Sequence, residues 1–412
     1  MSNIAIIGGG IAGLYAAYHL AKKRIPCILF ESTARLDGRI HTYQDPHLGQ
    51  VEAGAGRFLL SHKLLVRLLK ELDLYDRKIR IPGHSDYKPS SGSPLYQVLH
   101  SRKKGHIEDL VHRVIKASKK ASAAAADTLR KIVFLDFARQ VLDPQESQLL
   151  YDSFGYSTEL TTMNAYDACK MIENHLAKSN FYILAGGLEQ IIHRLIKVLD
   201  KSSYVTIRRN CPIGNISSLD TGGYRLTTAK GTTADFAVCI CAVPVPVLRQ
   251  WPIFRPIKSV LDTIICAPLC RIYSVVEGVG ALLPHKFTTN TDIRYYIPMN
   301  RDVAMISYTD NDYARGWNRL YEEEGVQVLN RVLKTELEKT TGPIETKMYP
   351  KRTKVFYWEC GVGYWGLGAD SAGFNQEPLP GLYICGENVS QKNQQWIEGA
   401  LDTAEWVLDK VI

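Results

Sequence analysis

Short apolar runs and one longer amphipathic stretch alternate at the start of the chain. Asn3–Ile7 and Cys27–Phe30 are apolar runs of strand length, and between them Ile11–Lys23 carries apolar residues at helical spacing. Runs without polar alternation are typical of parallel strands buried on both faces, with the connecting helix packed against them. The pattern therefore predicts a β-α-β unit.

Similar patterns further along the chain predict strands and helices in mixed order. Strands are predicted at Val205–Ile207, Tyr224–Thr228, Phe236–Ala242, Arg271–Val276, Ile293–Pro298, Val303–Tyr308 and Leu382–Cys385. Helical spacing marks Leu64–Leu74 and Glu322–Lys339, and a helix-rich part extends to about Lys178. This mixture predicts an α/β fold, and 412 residues allow two or three domains.

The turn between the first strand and its helix carries glycines at G-x-G-x-x-G spacing, Gly8, Gly10 and Gly13. In a dinucleotide site the first permits the tight turn, the second lets the backbone approach a pyrophosphate, and the third lets helix and strand pack closely. The helix N-terminus offers free N–H groups to the phosphates. Glu31, after the second strand, is placed to accept a hydrogen bond from a ribose hydroxyl, which favours FAD or NAD over NADP.

Composition describes an ordinary globular protein, with 45% hydrophobic and 22% charged residues. No apolar run reaches about eighteen residues, so we expect no membrane span. No basic leader or cleavage site is visible, and the nine cysteines follow no disulfide or metal-binding spacing. We therefore expect reduced thiols, no metal site and a cytoplasmic protein.

The net charge of +8 has a local origin in residues 102–131, where nine Lys and Arg surround an Ala-rich stretch. Basic clusters can bind nucleic acid or anionic surfaces. This one lacks interleaved aromatic residues and has strong helix propensity, so we interpret it as a solvated helix face and expect no nucleic-acid partner.

Four further segments carry motifs that are informative together. They are A-R-L-D-G-R-I-H-T with Arg39, V-E-A-G-A-G-R-F with Gly56 and Arg57, G-L-Y-I-C-G-E-N with Gly386 and Glu387, and Q-W-I-E-G-A-L-D-T-A with Trp396 and Ile397. This set resembles the flavin-dependent amine oxidases, which include monoamine, polyamine and L-amino acid oxidases. The resemblance implies one FAD, whose N5 takes a hydride from a C–H bond beside an amine.

The resemblance also implies the amine oxidase or glutathione-reductase-like FAD fold, in which a Rossmann-like FAD-binding domain is interleaved with an α+β substrate-binding domain. We assign the FAD-binding domain to residues 1–60, 181–250 and 349–412. We assign the substrate-binding domain to residues 61–180, its helical part, and 251–348, its sheet part.

Several cofactor contacts follow from the same resemblance. Ile213 is expected to pack on the adenine, and Gly386 and Glu387 to lie near the ribityl and pyrophosphate groups. Trp396 and Ile397 begin a helix whose N–H groups would face the N1 and O2 side of the flavin. Together with Gly8, Gly10, Gly13, Glu31, Arg39, Gly56 and Arg57, they form the expected FAD site.

The substrate side of the site rests on five positions. Gly363 stands where monoamine oxidases have the cysteine that is bound to the flavin, so the FAD should be non-covalent. Tyr364 and Trp396 correspond to two aromatic walls of a substrate slot. Arg57 stands where L-amino acid oxidases carry an arginine that pairs with the substrate carboxylate, although a contact with the cofactor or with protein groups is the alternative. Arg271 aligns with a lysine that is linked by water to flavin N5 in most relatives.

We therefore expect an FAD-dependent oxidase that converts a primary or secondary amine, or an L-amino acid, to an imine, with O2 as acceptor and H2O2 as product. Arg271, Tyr364 and Trp396 are the candidate catalytic residues, and no protein nucleophile is required. Two alternatives stay open. One is a flavin-binding scaffold whose catalysis has lapsed, and the other is a non-amine FAD oxidoreductase of the same fold, such as a relative of protoporphyrinogen oxidase.

Overall fold

A computed structural model of the chain describes residues 4–83, 85–93, 107–120, 123–176, 180–344 and 348–412. The strands in these ranges are β1 (Ile4–Ile7), β2 (Cys27–Phe30), β3 (Thr42–Asp45), β4 (Gly49–Glu52), β5 (Lys78–Pro82), β6 (Asp86–Tyr87), β7 (Asn180–Leu184), β8 (Val205–Arg208), β9 (Ile213–Ser218), β10 (Tyr224–Thr228), β11 (Thr233–Phe236), β12 (Val238–Cys241), β13 (Ile264–Val275), β14 (Phe287–Thr288), β15 (Tyr295–Pro298), β16 (Val303–Asp310), β17 (Lys351–Trp365) and β18 (Leu382–Ile384).

The α-helices are α1 (Ile11–Lys22), α2 (Lys63–Glu71), α3 (Ile107–Lys119), α4 (Ala123–Arg130), α5 (Phe134–Val141), α6 (Pro144–Ser153), α7 (Thr158–Thr161), α8 (Ala165–Met171), α9 (Glu189–Leu199), α10 (Val245–Leu248), α11 (Lys258–Asp262), α12 (Val279–Leu282), α13 (Asn311–Thr341) and α14 (Ile397–Val411). A π-helix at Ile172–Leu176 and 3-10 turns at Tyr75–Arg77, Pro252–Ile257 and Glu387–Val389 complete them.

A five-stranded parallel sheet in the order β18-β12-β1-β2-β8 forms the first domain. All four residues of β1 are buried, because helices α1, α9 and α14 cover one face of the sheet and the β9–β11 sheet covers the other. The predicted β-α-β unit is thereby confirmed. This sheet brings the first and last parts of the chain together, since β18 lies two strands from β1.

A six-stranded sheet in the order β17-β13-β16-β15-β14-β6 forms the second domain. The two long strands β13 and β17 are antiparallel neighbours, and their pairing is interrupted by a bulge between Ala267 and Leu269. Helix α13, which breaks at Gly325, packs against this sheet. Helices α3 and α5 to α8 share a core with Ala267 and Tyr364 at one end of the same sheet. The helical layer therefore covers the place where β17 reaches the first domain.

The domain boundaries assigned from the sequence need correction at three places. Helix α2 contributes Leu65 and Leu68 to the core around α1 and α14, so it belongs with the FAD-binding domain and not with residues 61–180. Trp251 and Phe254 pack in the other core of that domain. Strand β17 lies in the six-stranded sheet, although residues 349–412 were assigned to the FAD-binding domain. The apolar pattern shows that an element is buried but does not identify its partner.

Two predicted elements also differ in extent. The apolar run Phe236–Ala242 is split between β11 and β12, because the chain leaves one sheet and enters another at Ala237. The predicted helix Glu322–Lys339 lies within α13, which begins at Asn311.

The expectation that all cysteines are reduced is wrong for one pair. Cys266 and Cys360 form a disulfide between β13 and β17, with their Cα atoms 4.9 Å apart. The other seven cysteines are free. The pair is 94 positions apart in the chain, so only the strand pairing could reveal it.

The basic segment is partly described, and Arg102, Lys103 and Lys104 lie outside the described residues. Arg113 donates two hydrogen bonds to Glu146, at 2.7 and 2.9 Å, and Arg130 lies 4.4 Å from the ring centroid of Tyr166. These cations are engaged within the helical layer. No helix in the described part of the chain is long and apolar enough to cross a bilayer.

Candidate active site

The turn after β1 is shaped for a phosphate group. Gly8 has a φ of +109°, and a Cβ atom there would lie 2.3 Å from the carbonyl oxygen of Ala242. A Cβ atom on Gly13 would lie 2.0 Å from the Gly8 oxygen, so the third glycine is required for the helix to pack on the strand. Gly10 precedes the first residue of α1, and no side chain caps the helix there. The N–H groups of its first turn are therefore available to an anion.

Glu31 lies at the end of β2, beside this turn. Its Oε2 accepts a hydrogen bond of 2.8 Å from the Gly9 N–H, and its Oε1 accepts bonds of 2.8 and 2.9 Å from the N–H and Oγ1 of Thr33. Oγ of Ser32 also donates to Oε1 at 3.0 Å, so three bonds fall on Oε1 and only the Gly9 bond falls on Oε2, which leaves Oε2 able to accept from a ribose hydroxyl. Ile213, half-buried, begins β9 and packs against the core beneath the sheet.

Glu387 joins the first and last cofactor segments. Its Oε1 accepts a hydrogen bond of 2.5 Å from Nη1 of Arg39, and its Oε2 accepts 2.7 Å and 3.3 Å bonds from the N–H groups of Gln395 and Gly363. Arg39 also donates to the carbonyl of Gly361 at 3.1 Å. The carboxylate that the sequence places near the ribityl chain is thus occupied by protein donors, and it positions the loops around the cofactor site.

Gly363 and Tyr364 lie where β17 meets the loop after β18. A Cβ atom on Gly363 would lie 2.8 Å from the Cα of Asn388 and 2.3 Å from its Nδ2, so this position has no room for a cysteine side chain. Tyr364 is 2% exposed and packs with the helical layer. Gly386, at a φ of +131°, allows the turn that brings Asn388 to this strand.

Arg271 reaches the glycine-rich turn that carries Gly56. Its Nη1 donates to the carbonyl of Glu52 at 2.8 Å, and its Nη2 donates to the hydroxyl of Tyr308 at 3.1 Å. A Cβ atom on Gly56 would lie 3.0 Å from Arg271 Nη1, so the glycine makes this approach possible. Its Nε is buried and has no hydrogen-bond partner in the described residues. The structure therefore places a buried cation beside the turn that holds Arg57.

Arg57 lies deep in the protein, although part of its surface remains accessible. Its guanidinium carbon is 4.3 Å from the ring centroid of Phe181 and 5.9 Å from that of Trp396. Within the described residues it forms no ion pair with a carboxylate. Burial and the Arg57 charge lower the pKa of Lys286 to about 8. Arg57 thus has a cation nearby and no carboxylate ion pair within the described residues.

Three tyrosines face Arg57 from the substrate-binding domain. Tyr156 stacks on Tyr295 at a centroid distance of 5.7 Å and meets the ring of Tyr308 edge-on at 5.2 Å. Burial lowers the pKa of Arg57, and the interactions with all three tyrosines raise it, so that the net change is a rise. We call Arg57, these tyrosines, Phe181, Tyr364 and Trp396 the inner cluster. The sequence singled out Arg57, Tyr364 and Trp396 but not the other members.

Trp396 is 9% exposed and immediately precedes α14. Its ring lies parallel to that of Phe181, with centroids 6.0 Å apart, and near those of His62 and His175, at 5.0 and 5.1 Å. No ring contact joins it to Tyr364 in the described residues, so the two predicted walls are separate.

The two histidines were not predicted. The Leu59 N–H donates to Nδ1 of His62 at 3.4 Å, Nε2 of His62 lies 3.3 Å from Nδ1 of His175, and Nε2 of His175 lies 3.2 Å from the carbonyl oxygen of Lys392. With one proton on each Nε2, every one of these contacts is a donor meeting an acceptor. The pair therefore packs against Trp396 as a fixed unit, and no sequence motif joins residues 113 positions apart.

Glu159, on α7, is a further residue that was not predicted from the sequence. It is 4% exposed, and its Oε2 is buried without a hydrogen-bond partner in the described residues. Burial, and then the neighbouring Asp310, raise its pKa to about 8, while the Tyr364 hydroxyl and Arg57 oppose the rise. A buried acid with a raised pKa beside the inner cluster is a candidate functional residue.

The residues fit an FAD at several points. The uncapped start of α1 and the cradle of glycines suit the pyrophosphate, and Glu31 suits the ribose. Nε2 of Gln395 and Nε1 of Trp396 are buried donors that lack partners in the described residues, at the start of α14. Ile397, in contrast, points its side chain into the core beside α1, so only its backbone could face a flavin.

These features define a two-domain dinucleotide-binding oxidoreductase fold. The chain belongs to the flavin containing amine oxidoreductase family, which matches residues 11–407. The family implies a flavin cofactor and an amine-type substrate. The expected fold and family are thereby confirmed.

Wild-type putrescine oxidase bound to putrescine has the same fold, with a TM-score of 0.77 and 15% identity over 100% of this chain and 98% of that one. Flavin-containing amine oxidase A of Canis lupus familiaris is 33% identical over 81 residues, which are 20% of this chain and 15% of that protein. L-amino-acid oxidase of Mus musculus is 36% identical over 73 residues, 18% and 12% of the two chains. Protoporphyrinogen oxidase of Homo sapiens is 25% identical over 327 residues, 68% and 65% of the two chains.

Proposed function

We propose that the protein uses a non-covalently bound FAD to oxidise an amine to an imine, and that this amine carries a carboxylate, as an L-amino acid does. The observation that carries the proposal is the state of Arg57, a deep cation without a carboxylate partner in the described residues. Burying an unpaired guanidinium is costly, so the arrangement favours an anionic ligand. A guanidinium binds a carboxylate through two parallel hydrogen bonds.

The chemistry that a bound FAD supplies is acceptance of a hydride at flavin N5 from the carbon beside the amine, with O2 as the proposed final acceptor. The protein residues bind, orient and exclude water. Arg57 holds the carboxylate, and the rings of Tyr364 and Trp396 bound the space on separate sides. Arg271 holds a permanent positive charge near the flavin end of the site, which favours an anionic ring there.

The non-covalent state of the FAD is supported by Gly363. The position that corresponds to the flavin-linked cysteine of monoamine oxidases has neither a thiol nor the space for one, because Asn388 lies against it.

A second candidate function is oxidation of a non-amine substrate. It is favoured by the alignment with human protoporphyrinogen oxidase, which covers 68% of this chain. A carboxylate-bearing ring system would also satisfy Arg57. The scaffold alternative is disfavoured by Arg57, since a deep cation without a carboxylate partner in the described residues is costly in a protein that binds no substrate.

Anaerobic reduction of the flavin tests these alternatives directly. The purified yellow protein is mixed with L-amino acids, with their decarboxylated amines, and with protoporphyrinogen, and the absorbance of oxidised flavin is followed. We expect bleaching by at least one L-amino acid and slower bleaching by its amine. Bleaching by protoporphyrinogen alone would establish the second candidate, and a flavin that no compound reduces would establish the scaffold.

A further inference from the structure

Glu159 is a buried acid that the function proposed so far leaves unused. It lies on α7, whose preceding backbone is held by Asp310: the Asp310 carboxylate accepts bonds of 2.8 Å from the N–H groups of Ser157 and Thr158. This anchoring fixes α7 against the end of β16. Oε2 of Glu159 is buried and has no hydrogen-bond partner in the described residues.

The groups that face Glu159 are those of the inner cluster. The Tyr364 hydroxyl approaches its carboxyl from β17, Arg57 acts on it from the first domain, and Asp310 acts from β16. Tyr156, three positions earlier, also senses its charge. Glu159 therefore lies within reach of both Tyr364 and the proposed carboxylate anchor Arg57, and the amine of an amino acid held by Arg57 would come near it.

An amine must lose a proton before it can lose a hydride. At neutral pH the substrate is an ammonium ion, which has no lone pair to assist departure of the hydride from the adjacent carbon. The substrate ammonium cannot be attracted by the cations Arg57, Arg271 and Lys286. Glu159 is the buried acid that can attract it.

Resting on the proposed function, we propose that Glu159 binds the substrate ammonium and accepts its proton. One N–H bond of the ammonium breaks and an O–H bond forms on the Glu159 carboxylate, while the electron pair remains on nitrogen. The lone pair then assists transfer of the hydride from the neighbouring carbon, and the protonated imine forms. The proton taken from the ammonium stays on Glu159 when the product leaves, and the next ammonium to bind displaces it to solvent.

The free-state pKa of about 8, raised first by burial and then by Asp310, suits this task. An acid that is mostly protonated at pH 7 stays uncharged while the site is empty. The arriving ammonium stabilises the carboxylate and displaces the proton, so the base forms when substrate is present.

The first test is the pH dependence of flavin reduction in Glu159→Gln, measured as kred/Kd by anaerobic stopped flow. Without the base, only the neutral amine reacts, so we expect a loss of about 100-fold at pH 7. The loss should shrink to a few-fold near pH 10, where the free amine is abundant. Glu159→Asp should restore part of the activity at pH 7. Asp136→Asn, which removes a half-exposed carboxylate from α5, should match the wild type at both pH values.

The second test needs no turnover, and its principal measurement uses the wild-type protein. α-Aminoisobutyrate has no hydrogen on the carbon beside its nitrogen and cannot be oxidised. Calorimetric titration of the wild-type holoenzyme in two buffers of different ionisation enthalpy counts the protons released on binding. We expect close to one proton per ligand at pH 7, and none in Glu159→Gln.

The outcomes separate the two proposals. A wild-type flavin that no amine or amino acid reduces overturns the proposed function, and this inference with it. A reducible wild type whose Glu159→Gln variant is equally impaired at pH 7 and pH 10 overturns the role of Glu159 alone. Binding of α-aminoisobutyrate without proton release overturns it as well.

Discussion

Removing the charge of Arg57 should discriminate between an amino acid and its decarboxylated amine. Arg57→Met keeps an apolar stem against Phe181 and deletes the guanidinium, which lies 4.3 Å from the centre of that ring. Loss of a desolvated, charge-assisted pair costs about 2–4 kcal/mol. At ~1.4 kcal/mol for each factor of ten, kcat/KM for the amino acid should fall by about 30- to 1,000-fold.

The amine provides the internal control. It has no carboxylate to lose, and its positive charge is repelled by Arg57 and by Lys286 nearby, so Arg57→Met should leave its kcat/KM unchanged or raise it. Arg57→Lys keeps the charge but not the two-pronged geometry, and it should be intermediate for the amino acid.

The assay compares kcat/KM for one amino acid and its own amine in the same preparations, with flavin content measured for each variant. Flavin content matters because Arg57 adjoins Gly56 and could also contact the cofactor. Equal losses on the two substrates at full flavin occupancy would refute carboxylate binding and indicate a structural role. A loss of flavin would indicate the cofactor role that the sequence left open.

Four further results are expected. Acid precipitation should release all yellow colour into the supernatant, and Gly363→Cys should lower the melting temperature instead of attaching the flavin; colour kept in the pellet would contradict this. Arg271→Lys should speed re-oxidation of the reduced protein by O2 in stopped flow, because a compact ammonium can organise a water that a guanidinium cannot. The pKa of Glu159 is higher in the folded protein than in the unfolded chain, so this residue adds to the free energy of unfolding below about pH 4.5. That contribution should be lost as the pH rises toward about 8, and it amounts to ~1.4 kcal/mol for each unit of difference between the two pKa values. The melting temperature of Glu159→Gln should therefore vary less with pH than that of the wild type. Alkylation of the unfolded, unreduced protein should label seven thiols and leave Cys266 and Cys360 unlabelled, whereas nine labels would disprove the disulfide.

The parts of the fold that sequence could predict are those fixed by neighbours in the chain. The turn at Gly8, its helix and the acid at Glu31 lie within one local unit, so spacing alone indicates their geometry. Strand β10 was predicted with its observed limits, because glycines lie on both sides of it, at Gly222 and Gly223 before it and at Gly231 after it.

The parts that could not be predicted depend on distant partners. Glu159 becomes unusual only because β16 brings Asp310 to it across about 150 positions, as the Ser157 contact shows. His62 and His175 gain their role from a pairing over 113 positions. In each case the sequence shows an ordinary polar residue in a helix-rich region, and the burial that changes its chemistry arises from tertiary packing.

The ion pair between Arg39 and Glu387 has a consequence for how the protein is made. The two residues are 348 positions apart, and both adjoin the cofactor segments. At about 5–20 residues per second, a ribosome needs roughly 20–70 s to reach the second after completing the first. During that interval the sheet lacks first β12, the neighbour of β1, and then β18, and the helix α14 is missing from one of its faces. Capture of the dinucleotide is therefore a late event in biogenesis, and the nascent chain must be shielded until its last hundred residues emerge.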